Sequence, residues 1–303
     1  MKKLLLKLML LFLPFLLFLT ILVFWATYSY SYHLAILDKY QMLKNTTSPK
    51  LVLVGGSNLA FGIDSQLLEK ELQIPVVNTG VSAGFGLGRM LDSVLPFLNS
   101  GDILLISPEY SLFSNAWNGD TAACELIFAA RQYHLLIHPG YYDFPKDFLK
   151  YISDRSSVRF FTQTEPASVD AYTRDGFNQH GDYIKHLNKE AKEFSALGRA
   201  GEANKRYINR FFRFVDKISA RGVFVLLTYP PFASASFNNS RQLIQELDKL
   251  FKAKENLVVI SSPSEYFLDE SFFYDSPYHL NAAGRKIRTT HLIKDLHKFI
   301  DNQ

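Results

Sequence analysis

Two segments far apart in the sequence carry side chains that together could perform acyl transfer. The first is a Gly-Gly-Ser turn that ends at Ser57, and the second places Asp275 and His279 on either side of Pro277. A serine hydroxyl becomes an effective nucleophile when a histidine takes its proton, and a carboxylate beside that histidine fixes its tautomer. The sequence therefore predicts Ser57 as nucleophile, His279 as base and Asp275 as the residue that orients His279.

Each segment also has a simpler interpretation. Ser57 could cap a helix in an ordinary turn between a strand and a helix. Asp275 and His279 could lie in a solvated surface loop, although four aromatic residues surround them: Phe272, Phe273, Tyr274 and Tyr278. The glycine turn is not a nucleotide-binding loop, because it lacks the G-x-G-x-x-G spacing and no Lys-Ser/Thr pair follows it.

Apolar runs that alternate with amphipathic segments indicate an α/β fold. The continuous run at 51–54 is typical of a parallel strand that is buried on both faces. Five such strands are expected, at 51–54, 74–77, 103–106, 223–228 and 257–260. Helices are expected from Asp64–Ser65 onward, at 87–98, 207–218 and 243–251, and from about Asn281 to the C-terminal end. This alternation implies a mostly parallel five-stranded sheet.

Four polar residues follow the predicted strands directly. Ser57, Asn78, Glu109 and Tyr229 each come just after the carboxyl end of a strand. Ligands of open parallel sheets bind outside these strand ends. We therefore expect the four residues to share one rim of the sheet, with Asn78 and Glu109 as candidates for substrate contacts.

The segment from about 112 to 200 interrupts the alternation of strands and helices. It is rich in Tyr, Phe, His and Asp, and it predicts an insertion of helices and loops over the active rim. Within it, residues 177–182 combine amide, imidazole and carboxylate side chains, a mixture suited to sugar hydroxyls, with Asn178 as the binding candidate. The alternative is a turn in which Gly181 has a positive φ and Asp182 caps the next helix.

The N-terminal segment predicts a helix that crosses a membrane. Lys2, Lys3 and Lys7 precede an apolar run that extends through residues 8–27. About 20 apolar residues are enough to span a bilayer. The lysines are expected on the cytoplasmic side, which would put the rest of the chain outside. A cleaved signal peptide is the alternative, but its apolar region is shorter, about 7–15 residues.

The predicted organisation follows from this anchor. Residues 1–32 form the signal anchor, 33–48 a juxtamembrane linker, and 49–303 one α/β domain that contains the insertion. Four aromatic residues after the apolar run are expected to form a belt at the outer membrane interface: Trp25, Tyr28, Tyr30 and Tyr32.

Composition excludes several classes of function. The net charge of +4 is small and gives no support to nucleic-acid binding. A single cysteine, Cys124, excludes an internal disulfide and a cysteine-based metal cluster. His134 and His138 have a helical spacing that can bind metal, but no third ligand is evident, so no metal site is predicted. The acyl-transfer chemistry requires no cofactor.

Three short blocks in this order resemble the SGNH (GDSL-like) hydrolase superfamily. They are Gly56-Ser57 after the first strand, Asn-Thr-Gly-Val-Ser-Ala-Gly at 78–84 after the second, and the Asp/His block before Leu280-Asn281. The similarity covers roughly 50–110 and 220–300. It implies a flavodoxin-like three-layer α/β/α sandwich.

The resemblance also implies roles for individual residues. Ser57 would be the nucleophile, His279 the base and Asp275 its orienting acid. The Ser57 amide and an amide in the turn at Ala83 and Gly84 would donate to the oxyanion.

The sequence departs from the family pattern at three places. Glu109 stands where the family has an asparagine that donates to the oxyanion, and Asp275 precedes the histidine by four residues instead of three. The serine also lacks the usual preceding Gly-Asp. Residues 106–110 are similar to the corresponding block of the teichoic-acid D-alanine-transfer protein, a membrane-anchored relative that works beside a multi-spanning O-acyltransferase.

These observations lead to one main expectation and two alternatives. The main expectation is a membrane-anchored, extracytoplasmic serine esterase or O-acyltransferase that acts on acyl esters of cell-surface glycans. One alternative is a non-catalytic module that binds a glycan or recruits a membrane O-acyltransferase. The other is an assembly protein that functions through its anchor helix alone.

Overall fold

The computed structural model describes residues 2–24, 31–129, 131, 133, 144–155 and 172–302. Its centre is a sheet of five parallel strands: β1 (Leu51–Gly55), β2 (Val76–Asn78), β3 (Ile103–Ser107), β4 (Phe224–Leu227) and β6 (Val258–Val259). Their spatial order is β2-β1-β3-β4-β6. Two short strands, β5 (Phe232–Ala233) and β7 (Phe267–Leu268), form a separate parallel pair. The predicted α/β class and five-stranded parallel sheet are confirmed.

Ten α-helices occur within the described residues. They are α1 (Lys2–Phe24), α2 (Ala35–Asn45), α3 (Ser57–Gly62), α4 (Ser65–Leu72), α5 (Leu87–Val94), α6 (Thr121–Cys124), α7 (Phe144–Arg155), α8 (Lys205–Ser219), α9 (Ser234–Lys252) and α10 (Ala282–Ile300). Two begin where the sequence predicts a helix start, and each has a side-chain cap there. The Asp64 side chain accepts from the Leu67 amide at 3.2 Å, and the Asn281 side chain accepts from the Gly284 amide at 3.1 Å.

The helices cover both faces of the sheet, which gives three layers. Successive side chains of a strand point to opposite faces, so Val52 and Val54 belong to a different apolar cluster from Leu51 and Leu53. The first cluster includes side chains of α5, α8 and α9, such as Leu91, Phe211 and Leu247. The second cluster includes side chains of α4 and α10, such as Leu68 and Leu292.

The strand register brings the predicted rim residues to one edge of the sheet. Leu53 of β1 pairs with Asn78 of β2, and Gly55 pairs with Ser107 of β3. Ser57, Asn78 and Glu109 therefore lie at neighbouring strand ends.

Helix α1 at the N-terminus exposes much of its apolar surface. Leu10, Leu11 and Leu13 are each exposed by 63% or more. Among the helices in the described ranges, none has both the length and the apolar character that a membrane span requires. The C-terminal part of α1 contacts the domain through Val23, which is buried.

The expected aromatic belt is corrected at Tyr32. Trp25, Tyr28 and Tyr30 lie outside the described residues. The Tyr32 hydroxyl donates to the Val81 carbonyl at 2.8 Å, and its ring packs against Phe61, Tyr172, Phe177 and Tyr183. Tyr32 is thus part of the domain, because its ring completes an aromatic cluster that the sequence did not reveal.

The segment expected to be a linker is also part of the domain. Within 33–48, α2 buries Ile36, Tyr40 and Leu43 in the main apolar cluster. Lys39 on the same face is buried, and its ammonium donates to the carbonyls of Asn78, Gly80 and Gly181. These contacts fix α2 against the end of β2.

The first and last described parts of the insertion differ in their location. Residues 112–129 pack into the main core, where Leu112, Phe113 and Ile127 are fully buried. From residue 172 onward the chain lies beside α3, since the Tyr183 amide donates to the Ala60 carbonyl at 2.8 Å. The part nearest the rim is therefore 172–187.

Candidate active site

Ser57 is the first residue of α3 and follows β1 through two glycines. A Cβ at Gly55 would lie 2.3 Å from the Ser107 carbonyl oxygen, and one at Gly56 would lie 2.3 Å from Glu109 Oε1. Only glycine fits at either position, so this sharp turn depends on both residues. Ser57 is half-buried, and within the described residues its hydroxyl makes no hydrogen bond.

Asp275 and His279 form a directly bonded pair, as the sequence predicted. Asp275 Oδ1 lies 2.8 Å from His279 Nδ1. A carboxylate at this distance accepts from Nδ1–H, which leaves Nε2 as the basic nitrogen of the ring. A turn holds the pair together, because the His279 amide donates to the Ser276 carbonyl and the Tyr274 amide donates to the His279 carbonyl.

The carboxylate is stabilised in its charged form. Partial burial acts to raise the pKa of Asp275, but hydrogen bonds from His279 and Tyr172 outweigh it, so the pKa lies below its ordinary value. The Tyr172 hydroxyl donates to Asp275 Oδ2. An ionised Asp275 can orient the imidazole and stabilise the imidazolium that forms when His279 accepts a proton.

Phe61 connects the histidine to the helix that carries the serine. Its ring lies parallel to the His279 imidazole, with centroids 4.1 Å apart and planes 10° apart. Phe61 follows Ser57 by one helical turn, so the two side chains share a face of α3. His279 is therefore held next to the first turn of α3.

Glu109 fixes the serine turn through hydrogen bonds to its backbone. Its carboxylate accepts from the Gly56 amide and from the Asn58 amide, each at 3.2 Å, so it contacts the backbone on both sides of Ser57. Glu109 is 2% exposed. A carboxylate that accepts from two amides positions the turn, and when ionised it has no hydrogen to donate to an oxyanion.

A buried arginine from the last helix supports the same turn. Arg288 donates to the Asn58 carbonyl at 2.6 Å, to Asn58 Oδ1 at 2.9 Å and to Ser107 Oγ at 2.8 Å. Burial lowers the pKa of Arg288 to about 10, so the guanidinium stays charged at neutral pH. The positive charge of Arg288 interacts favourably with the negative charge of Glu109, which is buried at the same turn.

The residues expected to bind the oxyanion differ in their surroundings. The Ala83 nitrogen lies beside Gly56, 2.7 Å from the position that a Cβ there would take. The Gly84 amide donates to Ser82 Oγ at 3.1 Å, within its own turn. The Ser57 amide stands at the start of α3, where helical amides have no intrahelical partner. Ser57 and Ala83 are thus the better placed amides.

Asn78 and Asn178 both use their side chains inside the protein. The Asn78 amide group donates to the Leu59 carbonyl and to Asp182, and its oxygen accepts from Gly80. Asn178 Oδ1 accepts from the amides of His180 and Asp182. Gly181 has a φ of 88°, as the turn alternative expects, but Asp182 accepts from Ser65 at the start of α4, and no α-helix follows it in the described residues before Lys205. Both side chains therefore support loops at the rim.

Sequence reasoning missed several residues that shape the site. Arg288 carried a usable signal, because a charged residue shares the buried face of α10 with Leu292 and Leu296. Tyr172 carried none, since its partner Asp275 is 103 positions away. The position of Tyr32 after the apolar run predicts a membrane interface and gives no sign of its contacts with distant aromatic residues.

Neither known proteins nor a metal-binding group helps to identify the site. No protein-family model and no curated protein matches the chain. Within the described ranges, no group of three His, Cys, Asp or Glu side chains could hold a metal ion. His134 and His138 lie outside those ranges.

Proposed function

We propose that the chain is an SGNH-type serine esterase or O-acyltransferase that acts on acyl esters of cell-surface glycans. The observation that carries the proposal is the Asp275–His279 pair, held by Phe61 against the helix that begins at Ser57. Its elements are a nucleophile candidate, a base of defined tautomer and an orienting acid, which acyl transfer requires.

The chemistry would proceed in two halves. Ser57 Oγ attacks the ester carbonyl while His279 Nε2 accepts the hydroxyl proton. The carbon–oxygen bond to the alcohol then breaks, and His279 returns the proton to the leaving alcohol. In the second half His279 takes a proton from water or from a sugar hydroxyl, whose oxygen attacks the carbonyl of the acyl-serine. The bond between the acyl carbon and Ser57 Oγ then breaks, His279 returns the proton to Oγ, and the acid or the new ester leaves. The amides of Ser57 and Ala83 would stabilise the negative oxygen in both halves.

The arrangement of the sheet supports the SGNH assignment. Counted along the chain, the five main strands have the order 2-1-3-4-5, which is the flavodoxin-like order. The proposed nucleophile follows the first strand, and the Asp/His block precedes the last helix. The sequence resemblance, including the block at 106–110, is the basis for a glycan as the substrate.

The proposed location rests on the N-terminal sequence. Lys2, Lys3 and Lys7 before an apolar run favour a signal anchor in the cytoplasmic membrane, with the α/β domain outside. A multi-spanning membrane O-acyltransferase is the proposed partner. This location would give the domain access to envelope polysaccharides.

A non-catalytic binding or scaffold module is the second candidate. Two observations favour it: the Ser57 hydroxyl makes no hydrogen bond within the described residues, and Glu109 takes the place of an oxyanion donor. The hydrogen bond between a catalytic serine and its base is often long before substrate binds, and it shortens in the complex.

Turnover of p-nitrophenyl acetate by the full-length chain in detergent distinguishes them. The proposal predicts hydrolysis that falls by roughly 10³-fold or more in Ser57→Ala and in His279→Ala. Ser264→Ala, which changes an exposed serine elsewhere, is the matched control and should keep full activity. A folded wild-type chain whose turnover equals that of Ser57→Ala would favour the binding module.

A further inference from the structure

We propose that Tyr172 is a positioning residue for the Asp275–His279 pair and that residues 31–38 hold Tyr172 in place. The inference rests on the proposed function, because it concerns how the base of that reaction is assembled. It links the segment that follows α1 to the acid–base chemistry of the site.

The two oxygens of Asp275 have different partners. Oδ1 accepts from His279 Nδ1 at 2.8 Å, and Oδ2 accepts from the Tyr172 hydroxyl. The terminal torsion of an aspartate is broad, so one hydrogen bond alone leaves the carboxylate able to rotate. A second bond from Tyr172 restricts that rotation and keeps Oδ1 directed at the imidazole.

Tyr172 also touches the histidine itself. Its hydroxyl oxygen lies 3.4 Å from His279 Nδ1, and the two rings meet edge to face at 6.0 Å. Tyr172 packs edge to face against Phe61 as well, at 5.0 Å between centroids. The tyrosine thus contacts the orienting acid, the base and the ring on which the base stacks.

Residues of the N-terminal segment hold the chain directly after Tyr172. Ser31 forms an antiparallel bridge with Thr173. Arg174 donates from two nitrogens to the two oxygens of Asp38, at 2.7 and 2.5 Å. A bidentate pair of this kind fixes orientation as well as distance.

The ring of Tyr32 completes this support. It lies 5.5 Å from the ring of Tyr172, and its hydroxyl donates to the Val81 carbonyl, close to the turn at Ala83. Tyr32 therefore connects the support of Tyr172 to the segment that would supply an oxyanion donor. Without residues 31–38, Tyr172, Thr173 and Arg174 would lose these contacts with the N-terminal segment.

The proposal has a pH signature with a defined direction. Removing the Tyr172 hydroxyl should have two effects on Asp275. The carboxylate would be less firmly oriented, which lowers the rate, and it would carry more negative charge, which favours a protonated imidazole at His279. The other groups that face the three residues are Lys192 near Asp275, His186 near His279, and Tyr32 and Tyr274 near Tyr172. A Tyr172→Phe change leaves all of them in place.

Two measurements on the full-length chain in detergent test the role of Tyr172. The first is the rate of Ser57 labelling by a fluorophosphonate as a function of pH. Tyr172→Phe should lower the rate about tenfold at neutral pH, the size expected for one lost hydrogen bond to a charged group, and move the acid limb of the profile to higher pH. An unchanged rate and profile would overturn the proposal.

The second measurement does not depend on activity. The low-field proton resonance of His279 Nδ1–H should be present in the wild type and be shifted or broadened in Tyr172→Phe. Tyr229→Phe is the matched control, because the Tyr229 hydroxyl also donates to an aspartate, Asp248, at 2.7 Å. An identical resonance in Tyr172→Phe and the wild type would overturn the proposal, whereas absent labelling in the wild type would count against the proposed function alone.

The role of residues 31–38 is tested separately. Arg174→Gln removes the pair with Asp38 and should shift the His279 resonance in the same direction as Tyr172→Phe, by a smaller amount. Lys252→Gln removes a surface ion pair with Asp248 at 2.9 Å on α9 and is the control. If Arg174→Gln behaves as Lys252→Gln does, the N-terminal segment does not hold Tyr172.

Discussion

The imidazole of His279 lies parallel to the ring of Phe61, with centroids 4.1 Å apart. Because Phe61 is one turn after Ser57 on α3, this contact sets the position of the proposed base, His279, relative to the proposed nucleophile, Ser57. The bond to Asp275 sets the tautomer of the same ring. Two independent contacts therefore determine where Nε2 points.

Replacing Phe61 by leucine should impair the chemistry more than the fold. We expect Phe61→Leu to lower the free energy of unfolding by about 1–2 kcal/mol, since volume is largely kept. The rate of ester hydrolysis should fall about tenfold or more, because small displacements of a catalytic group are costly.

Urea unfolding and p-nitrophenyl acetate hydrolysis measure the two effects of Phe61→Leu. Phe211→Leu is the control, because Phe211 is fully buried in the main core, where its ring packs against Phe113 and Phe251. It should lose comparable stability and keep its activity. Equal activity in Phe61→Leu and Phe211→Leu would contradict the role of the stacking contact.

Glu109→Gln should loosen the serine turn. The glutamine amide can accept from only one of the two backbone N–H groups of Gly56 and Asn58, and its own NH₂ would face the other. We expect a loss of about 1–3 kcal/mol in the free energy of unfolding, together with slower labelling of Ser57.

Glu270→Gln is the matched control for this change. Glu270 also accepts two hydrogen bonds, from the Ala235 amide and the Ser234 hydroxyl, but it is partly exposed and lies away from Ser57. It should leave the labelling rate unchanged. Wild-type stability and labelling in Glu109→Gln would show that the carboxylate is not needed.

Arg288→Met should be severely destabilising. It removes the donor to the Asn58 carbonyl, to Asn58 Oδ1 and to Ser107 Oγ, and it removes a cation that interacts with buried Glu109. Breaking such a buried charged network typically costs about 3–5 kcal/mol. Thermal unfolding should show a clearly lower Tm, whereas Arg241→Met, an exposed position, should stay near the wild-type value. Equal Tm values for the two variants would refute this view of the network.

Stability should depend on pH through Lys39. Burial lowers the pKa of Lys39 to about 7, while an unfolded lysine keeps its ordinary value of about 10.5. Between these values the unfolded chain binds more protons than the folded one, so the free energy of unfolding should rise with pH across this window. The slope from one such group is at most about 1.4 kcal/mol per pH unit.

Urea unfolding at pH 7.5 and 9.5 checks this dependence on Lys39. Lys39→Met removes the titrating group, so its stability should rise less with pH than that of the wild type. Lys39→Met should also be less stable overall, because three buried carbonyls lose their donor. Identical pH slopes in the two proteins would show that Lys39 does not titrate in this range.

The sheet could be predicted because its strands are continuous apolar runs. Leu51–Gly55 is buried at every residue, so the sequence signal and the structural environment coincide. Helix α2 was missed because its buried face includes Lys39, a charged residue whose partners are carbonyls from distant loops. The repeat of Ile36, Tyr40 and Leu43 was an available signal for it.

Sequence could predict only those contacts of the candidate site that join residues close together in the chain. Asp275 and His279 are four positions apart, and both follow from residue type and spacing. The contacts of Glu109 with the serine turn and of Tyr172 with Asp275 join distant segments, so no local pattern could reveal them. Asn78 and Asn178 were natural candidates by residue type, yet hydrogen bonds within the protein engage both side chains.

The most direct test of the central claim is fluorophosphonate labelling of the full-length chain, with the modified residue mapped by mass spectrometry. The account predicts one label, on Ser57, that disappears in Ser57→Ala and is strongly reduced in His279→Ala and Asp275→Asn. Labelling of a different serine, or no labelling of a folded wild-type chain, would contradict an activated nucleophile at Ser57.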